Sequence, residues 1–378
     1  MRNSSSAASQ RFKLIRIGAL GLALAFGVVA AAEQTATLPL SLSVVTAQAH
    51  ELMGKSSAKV PGLAVAVAMD GKIVWSEAFG YADLETKKPV TTTTRFRIGS
   101  VSKPLTAAGL VLLVQRGQLD LDAPVQKYVP DFPVKPEGVI TTRLAAGHLA
   151  GIRHYRGSET HLNRPFASVH DGLEIFENDP LLSPPGGKFS YSTYSWSLVS
   201  AVMESAAHRE FLDYMESEVF KPLRMDHTRP DRAGVVDPDR TRFYKKQEDG
   251  KFVEAEPINS SYKWAGGGFL STAEDLVRFG SALLQPGYLN APSLKLLFTS
   301  QKTADGKSTG NGIGWFVRHD AEGQPFYYHT GGQQGATSMI FIAPQERLVV
   351  ALVCNLTAAD ILGEGKEIAD LFEELPHP

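Results

Sequence analysis

Two pairs of apolar segments, one near each end of the chain, constrain the fold more than any other feature of the sequence. The first pair surrounds Asp70-Gly71, a two-residue turn signal, in GLAVAVAMDGKIVWSEAFGYAD. The second pair surrounds Ala343 to Glu346 in ATSMIFIAPQERLVVALVCNL, and the segment TAADILGEGKEIADLFEEL that follows has the period of an amphipathic helix. Because such strands must bury their apolar faces, the two pairs predict one antiparallel sheet built from both chain ends.

The part of the chain between the two strand pairs has a mostly helical pattern. Three helices are predicted there: Lys103 to Arg116, Ser195 to His208, and Ala273 to Leu284, the last after the capping-box sequence Ser271-Thr272-Ala273-Glu274. The predicted fold class is therefore α/β, of the α+β kind, with an antiparallel sheet flanked by helices and an inserted, mainly helical lobe. We predict one domain over residues 33–378, with a sheet lobe at about 60–100 and 300–378, a helical lobe at about 101–299, and a pocket at their seam.

The first 32 residues have the composition of an export signal. Four basic residues precede the apolar run from Ile17 to Ala32, which is shorter than the roughly 20 residues of a membrane span and ends in alanines. We therefore expect cleavage near Ala32, an exported, periplasmic protein, and no membrane span after processing. An uncleaved anchor and a mitochondrial transit peptide are the alternatives.

Composition excludes several classes of function. The chain has 378 residues, a formal net charge of -2 and one cysteine, and this charge balance disfavours nucleic acid as a partner. Cys354 lies within an apolar strand, which indicates a buried, inert thiol and excludes zinc clusters. His148 and His154 are six residues apart, a spacing that favours loop anchoring over metal ligation. Gly266-Gly267-Gly268 lacks the end of a phosphate-binding loop and indicates close backbone packing, so we expect no metal and no cofactor.

A serine and a lysine precede the most apolar helix of the chain, in RIGSVSKPLTAAGLVLLV. Ser100 and Lys103 are three residues apart and would lie on one face of that helix. Burial and the positive end of the helix dipole both lower the pKa of such a lysine, which could then take the proton of the serine. The same spacing occurs at Ser56/Lys59 and Ser260/Lys263, which we expect to be coincidental. A helix-capping serine with a surface lysine is the alternative for Ser100.

Two further motifs follow in the chain: Tyr191-Ser192-Thr193 directly before a predicted helix, and His329-Thr330-Gly331 on or beside a strand. With Ser100 and Lys103 they match, in order and placement, the signature of serine enzymes that attack β-lactams and related amides. The sequence thus resembles the penicillin-recognising serine hydrolases, in the class C β-lactamase branch that also holds D-alanyl-D-alanine carboxypeptidases, esterases and D-aminopeptidases. The resemblance covers about residues 61–355 and is closest to the mitochondrial β-lactamase-like serine protease and its bacterial relatives.

This resemblance implies a role for each matching residue. Ser100 would be the nucleophile, Lys103 its proton acceptor or electrostatic partner, and Tyr191 a second base, with the lysine and the tyrosine sharing one proton near neutral pH. Backbone N–H groups of Ser100 and Gly332 would form the oxyanion hole. Four residues would contact the substrate: Thr193, His329, Thr330 and Gly331.

Two positions depart from the family pattern. Thr193 replaces the usual asparagine, and His329 replaces the usual lysine, which would make the charge at position 329 change with pH. These departures weaken the expectation of β-lactam hydrolysis but not that of acyl transfer. The leading hypothesis is an exported serine hydrolase that cleaves an amide or ester of a small-molecule or peptide substrate through a Ser100 acyl-enzyme. A penicillin-binding-type sensor, a D-alanyl carboxypeptidase, and an assembly-forming oligomer with secondary peptidase activity are the alternatives.

Overall fold

The computed structural model describes residues 41–375, so the expected export signal lies outside the described residues. The strands are β1 (Gly62–Met69), β2 (Lys72–Asp83), β3 (Lys88–Pro89), β4 (Phe96–Arg97), β5 (Arg229–Pro230), β6 (Tyr244–Lys246), β7 (Phe252–Glu254), β8 (Phe269–Ser271), β9 (Phe316–His319), β10 (Pro325–Gln333), β11 (Ala336–Ala343) and β12 (Leu348–Cys354). The α-helices are α1 (Leu42–Ser57), α2 (Ser102–Gln115), α3 (Thr142–Ala146), α4 (Thr193–Ala207), α5 (Phe211–Met215), α6 (Trp264–Gly267), α7 (Ala273–Leu283), α8 (Ala291–Phe298) and α9 (Leu362–Glu373).

A seven-stranded antiparallel sheet is built from the two ends of the described chain. Its strand order is β3-β2-β1-β12-β11-β10-β9, and β1 pairs with β12 so that Leu63 lies opposite Cys354 and Met69 opposite Leu348. This confirms the antiparallel sheet that the apolar strand pairs predicted. Cys354 is fully buried, and burial raises the pKa of its thiol to about 12, as expected for an inert thiol.

Helices cover both faces of this sheet. On one face α1 and α9 pack against Leu63, Val65 and Val67 of β1, and on the other face α7 packs against the alanines between them. Small residues let α7 approach closely: a Cβ added to Gly280 would lie 2.5 Å from Val349 Cγ1 of β12. Because both faces are covered, β1 and β12 are continuous apolar runs rather than alternating ones.

Two helices differ from the sequence-based expectation. We placed α7 in the helical lobe, but it covers the sheet, because Leu276 and Phe279 on its apolar side pack there. Its capping residue is Thr272, whose hydroxyl accepts a hydrogen bond from Asp275 N at 3.1 Å, one position later than the capping box predicted. Helix α1 was not predicted at all.

Helix α2 runs through the interior of the helical part. Residues 102–113 are all buried, and α2 packs against α4, α6 and α8. Thr106 ties the helix to α6, because its hydroxyl lies 2.9 Å from the carbonyl oxygen of Ala265. The start of α2 is therefore held at the junction between the helices and the sheet. None of the helices in residues 41–375 is long and apolar enough to cross a membrane.

Candidate active site

Ser100 lies in a tight turn, Gly99–Val101, that leads into α2 and packs against the end of strand β10. Strand β9 pairs with β10 only as far as Tyr328, so the residues of β10 after that point leave one edge open to the turn. Gly99 has a φ of +47°, and a Cβ there would lie 2.9 Å from Gly332 N. A glycine is needed for this approach, which brings Ser100 beside the backbone of Gly332.

Lys103 is fully buried, with its amine beside the Ser100 hydroxyl. Its Nζ lies 3.0 Å from Ser100 Oγ, 3.2 Å from Thr193 Oγ1 and 2.7 Å from the carbonyl oxygen of Gly266. Burial holds the pKa of Lys103 well below its usual value, and the nearby Lys263 lowers it further. A neutral amine has two hydrogens for Gly266 and Thr193 and one lone pair for the Ser100 hydroxyl. This arrangement suits proton transfer from the serine to the lysine.

Tyr191 lies near Ser100 and Lys103, and its ring contacts two histidines. Its ring stacks on His148 with 4.4 Å between centroids and meets His154 edge-on at 5.7 Å. Burial raises the pKa of Tyr191 above its usual value, although a side-chain hydrogen bond with Ser100 opposes this. Burial therefore favours the neutral forms of both groups, the amine of Lys103 and the phenol of Tyr191. This neutral pair holds one titratable proton, on the tyrosine, and the expectation that the two residues share that proton stays a prediction.

The two histidines anchor the loop that carries Tyr191. Nδ1 of His148 accepts a hydrogen bond from Ser192 N at 3.1 Å, and Nδ1 of His154 accepts one from Thr193 N at 3.2 Å. Ser192 caps α4, since its hydroxyl accepts from Ser195 N. Burial lowers the pKa of His154 to about 4 and that of His148 well below its usual value, so both act as neutral acceptors. The predicted loop anchoring is confirmed.

His329 is neutral in the folded protein. It is 3% exposed, its Nδ1–H donates to the carbonyl oxygen of Thr330 at 2.7 Å, and burial lowers its pKa to about 3. The expected change of charge near neutral pH is therefore wrong. Gly331 beside it allows close packing, because a Cβ there would overlap the carbonyl oxygen of Ile98. The substrate contacts of His329, Thr330 and Gly331 stay predictions.

A cavity of about 350 Å³ opens over Ser100 and has Thr193 and Gly332 on its wall. Thr193 thus faces the cavity while its hydroxyl also helps to hold Lys103. The cavity wall also contains Lys263, although the sequence indicates only a coincidental pair of Ser260 and Lys263. The sequence does contain an indication of this position, because Lys263 directly precedes WAGGG. In the structure Gly266 of that segment contacts Lys103 and Gly267 packs against Gly99, so the residue before the segment lies close to the site. This also confirms close backbone packing for the glycine run.

A larger cavity, of about 850 Å³, lies elsewhere, beside the buried ion pair of Arg95 and Asp237. Ser100, Lys103 and Tyr191 are not among the residues that line it. The cavity over Ser100 has the nucleophile on its wall, with the amine of Lys103 3.0 Å from that hydroxyl, and it is our candidate active site.

An antiparallel sheet flanked by helices, with a serine beside a buried lysine and a tyrosine, defines a serine hydrolase of the β-lactamase and transpeptidase type. The family model described as Beta-lactamase matches residues 45–370, and the chain belongs to this family.

Known relatives agree with this membership. The mitochondrial serine beta-lactamase-like protein LACTB of Homo sapiens is 31% identical, over 85% of this chain and 78% of its own length. Penicillin-binding protein 4* of Bacillus subtilis is 26% identical, over 77% of this chain and 67% of its own length. The crystal structure of the D-amino acid amidase from Ochrobactrum anthropi SV3 superposes with a TM-score of 0.73 at 22% identity, over 87% of this chain and 97% of that one. The last similarity shows the common fold.

Proposed function

We propose that this protein is an exported serine hydrolase that cleaves an amide or ester bond through an acyl-enzyme on Ser100. The observation that carries the proposal is the 3.0 Å contact between Ser100 Oγ and the amine of Lys103, which burial keeps neutral. A neutral amine in contact with a hydroxyl is a general base already in place. The signal-like composition of residues 1–32 supports export.

In the proposed acylation, Ser100 Oγ bonds to the substrate carbonyl carbon while its proton passes to Lys103 Nζ. The N–H groups of Ser100 and Gly332 hold the oxyanion, and each such donor contributes roughly 3 to 4 kcal/mol to transition-state stabilisation. When the tetrahedral intermediate collapses, the leaving group takes a proton from the Tyr191 phenol, which regains one from Lys103. Because burial favours the phenol, Tyr191 is protonated when the acid is needed. Water then releases the acyl group by the reverse proton transfers.

Proposed substrates are small molecules or peptides. The neutral His329 supplies no positive charge for a substrate carboxylate at that position, and Thr193 lacks an amide. Both features support an ester or amide substrate over a β-lactam.

The test combines labelling with pre-steady-state kinetics on the purified protein. We expect a fluorophosphonate to label Ser100, and a chromogenic ester to give a burst of product followed by steady turnover. A burst equal to the enzyme concentration without later turnover would identify an acylated sensor, and a label on another serine would refute the assignment. N-terminal sequencing of protein from a cell envelope fraction tests export, for which we expect a start close to residue 33.

A further inference from the structure

Lys263 is a buried cation on the wall of the cavity, and the mechanism proposed above gives it no contact with the reacting groups. It is 3% exposed, and no hydrogen-bond acceptor or carboxylate within residues 41–375 pairs with its Nζ. The rings of Tyr262 and Tyr155 lie 5.2 and 5.8 Å from that atom. An ammonium held among aromatic rings without a counter-ion is costly unless a ligand supplies the partner.

Asp231 is the acid whose charge raises the pKa of Lys263, but two arginines already pair with its carboxylate. Its carboxylate oxygens lie 2.6 Å from Arg97 Nε and 3.3 Å from Arg240 Nη1. Arg97 lowers the pKa of Lys263 and Asp231 raises it, after the larger effect of burial. The protein therefore leaves the positive charge of Lys263 without a balancing group of its own.

Gln333 is a second unsatisfied group on the same cavity wall. Its side-chain oxygen and nitrogen are both buried, and neither has a hydrogen-bond partner among the described residues. A buried amide without partners destabilises the protein, because it loses its hydrogen bonds to water and gains none in return. Gln333 directly follows Gly332, so an amide without partners lies close to Ser100 in a residue of the same cavity wall as Lys263. Lys263 and Gln333 are thus two polar groups that a polar ligand in this cavity could pair with.

The residues of the cavity wall bear on which part of the substrate the cavity would hold. Thr193 belongs to its wall, whereas Tyr191 and His329 do not. Since Tyr191 protonates the leaving group in our mechanism, the leaving group departs on that side and the acyl part of the substrate occupies the cavity. An anion on the acyl part would then reach Lys263.

We propose that Lys263 binds a carboxylate carried by the acyl part of the substrate, and that the amide of Gln333 completes this site. The inference rests on the proposed function and makes it more specific: the substrates are esters or amides whose acyl group carries a second carboxylate.

This site has a predictable dependence on pH. Burial lowers the pKa of Lys263 to about 7, so its charge is present below that pH and is lost as pH rises through it. Among the groups around it, Arg97 and Asp231 form an ion pair, His154 has a pKa of about 4, and the phenols of Tyr155 and Tyr262 have raised pKa values. Lys103 and His161 also lie near the cavity, and because the measured ratio compares two esters on the same enzyme, their effects on the shared chemistry cancel. The preference for an anionic acyl group should therefore weaken between pH 6 and pH 9.

The test compares 4-nitrophenyl hydrogen glutarate with the neutral 4-nitrophenyl valerate. The quantity measured is the ratio of kcat/KM for the anionic ester to that for the neutral ester, which cancels effects on the shared chemistry. Lys263→Met should lower the ratio about 10-fold or more, because it removes one partner of a buried charge pair. Lys188→Met is the matched control, since it removes one positive charge from an exposed loop near Tyr191 and should leave the ratio unchanged.

Lys263→Arg keeps the charge at all these pH values. It should retain most of the ratio and remove its decline above pH 7, which a merely structural role for the lysine would not produce. An equal ratio in the wild type and in Lys263→Met would overturn the inference and leave the serine chemistry intact.

A binding measurement separates this inference from the proposed function. Calorimetry with 4-nitrophenyl hydrogen glutarate should give a Kd about 10-fold weaker for Ser100→Ala/Lys263→Met than for Ser100→Ala alone. If Ser100 fails to react in the wild type but this difference persists, the proposed catalysis is refuted and the anion site stands. Equal Kd values for the two variants refute the anion site.

Discussion

Two segments with the same spacing, Ser100 to Lys103 and Ser260 to Lys263, both contribute to the site but in different ways. In the first, the turn before α2 brings hydroxyl and amine within 3.0 Å of each other. In the second, Ser260 Oγ is buried with no partner among the described residues, and Lys263 faces the cavity alone. Spacing therefore does not make a catalytic pair. The catalytic pair depends on the hydrogen-bond acceptors, Thr193 Oγ1 and the Gly266 carbonyl oxygen, that orient the Lys103 amine toward Ser100.

One of those acceptors comes from the second segment itself. Gly266, three residues after Lys263, supplies the carbonyl oxygen that lies 2.7 Å from Lys103 Nζ. The third segment with this spacing, Ser56 to Lys59, lies apart from the site. Both of its side chains bind Glu364 of α9, at 2.9 and 3.2 Å. The same four-residue pattern thus gives a catalytic pair, a cavity wall and an ordinary tie between two helices.

The largest expected effect separates the two serines. Ser100→Ala should lower kcat/KM for a neutral ester by about 10⁴-fold or more, because the attacking atom is lost. Ser260→Ala should stay within about threefold of the wild type, as for substitutions that leave the reacting groups in place. Turnover by the Ser100 variant, or covalent labelling of Ser260, would reverse the comparison.

A second experiment compares Lys103 with Lys59, because only Lys103 needs a nitrogen lone pair for catalysis. Lys103→Arg should lower kcat/KM about 10³-fold, because a guanidinium remains charged and cannot accept the serine proton. Lys59→Arg is the matched control, since its partner is the carboxylate of Glu364 and the charge is kept. Residual activity of Lys103→Arg above a tenth of the wild type would show that the amine acts only through its charge.

The electrostatic link between the two segments can be read from a pH profile. Because Lys103 must be neutral, kcat/KM for a neutral ester should rise with pH through the lowered pKa of Lys103 and reach its plateau well below pH 10.5. Lys263→Met removes a positive charge that lowers this pKa, so the acid limb should move to higher pH by about 0.5 to 1 unit. A limb that stays in place or moves to lower pH contradicts the coupling.

The smallest effects concern folding stability. Ser260→Ala removes a buried hydroxyl that has no partner, so the free energy of unfolding should change by less than about 0.5 kcal/mol. Ser192→Ala should lower it by about 1 to 2 kcal/mol, because that hydroxyl caps α4 and donates to the carbonyl oxygen of Arg153. Denaturant unfolding of both variants checks the difference, and an equal loss would mean that Ser260 has an unrecognised partner.

Local sequence patterns predicted most of the strands and helices near the site, whereas the charge states of the site residues depend on burial in the folded protein. The strands β1 and β12 and the helices α2 and α4 follow from apolar periodicity and turn residues, which act over a few positions. Helix α1 escaped prediction because its buried positions, Val45, Ala49 and Met53, are few and separated by polar residues.

The charge states at the site also depend on distant packing. Nothing next to His329 in the sequence indicates that its imidazole is enclosed and neutral, and Lys263 reaches the cavity only through the fold of the loop before α6. Motif order located the residues, but the pKa values of their side chains depend on groups that the chain brings from elsewhere.

The pairing of β1 with β12 also determines when the sheet can form. The two strands that meet at the centre are separated by almost the whole described chain, as the register of Leu63 with Cys354 shows. Contacts of such long sequence separation slow folding, since the intervening chain must be ordered before they form. Until β12 is present, the edge of β1 that pairs with it stays open, so the hairpin of β1 and β2 cannot complete the sheet by itself. A chain that stops after β11 lacks the strand that joins the two halves of the sheet, so a truncation at that point removes the centre of the sheet and not only its end.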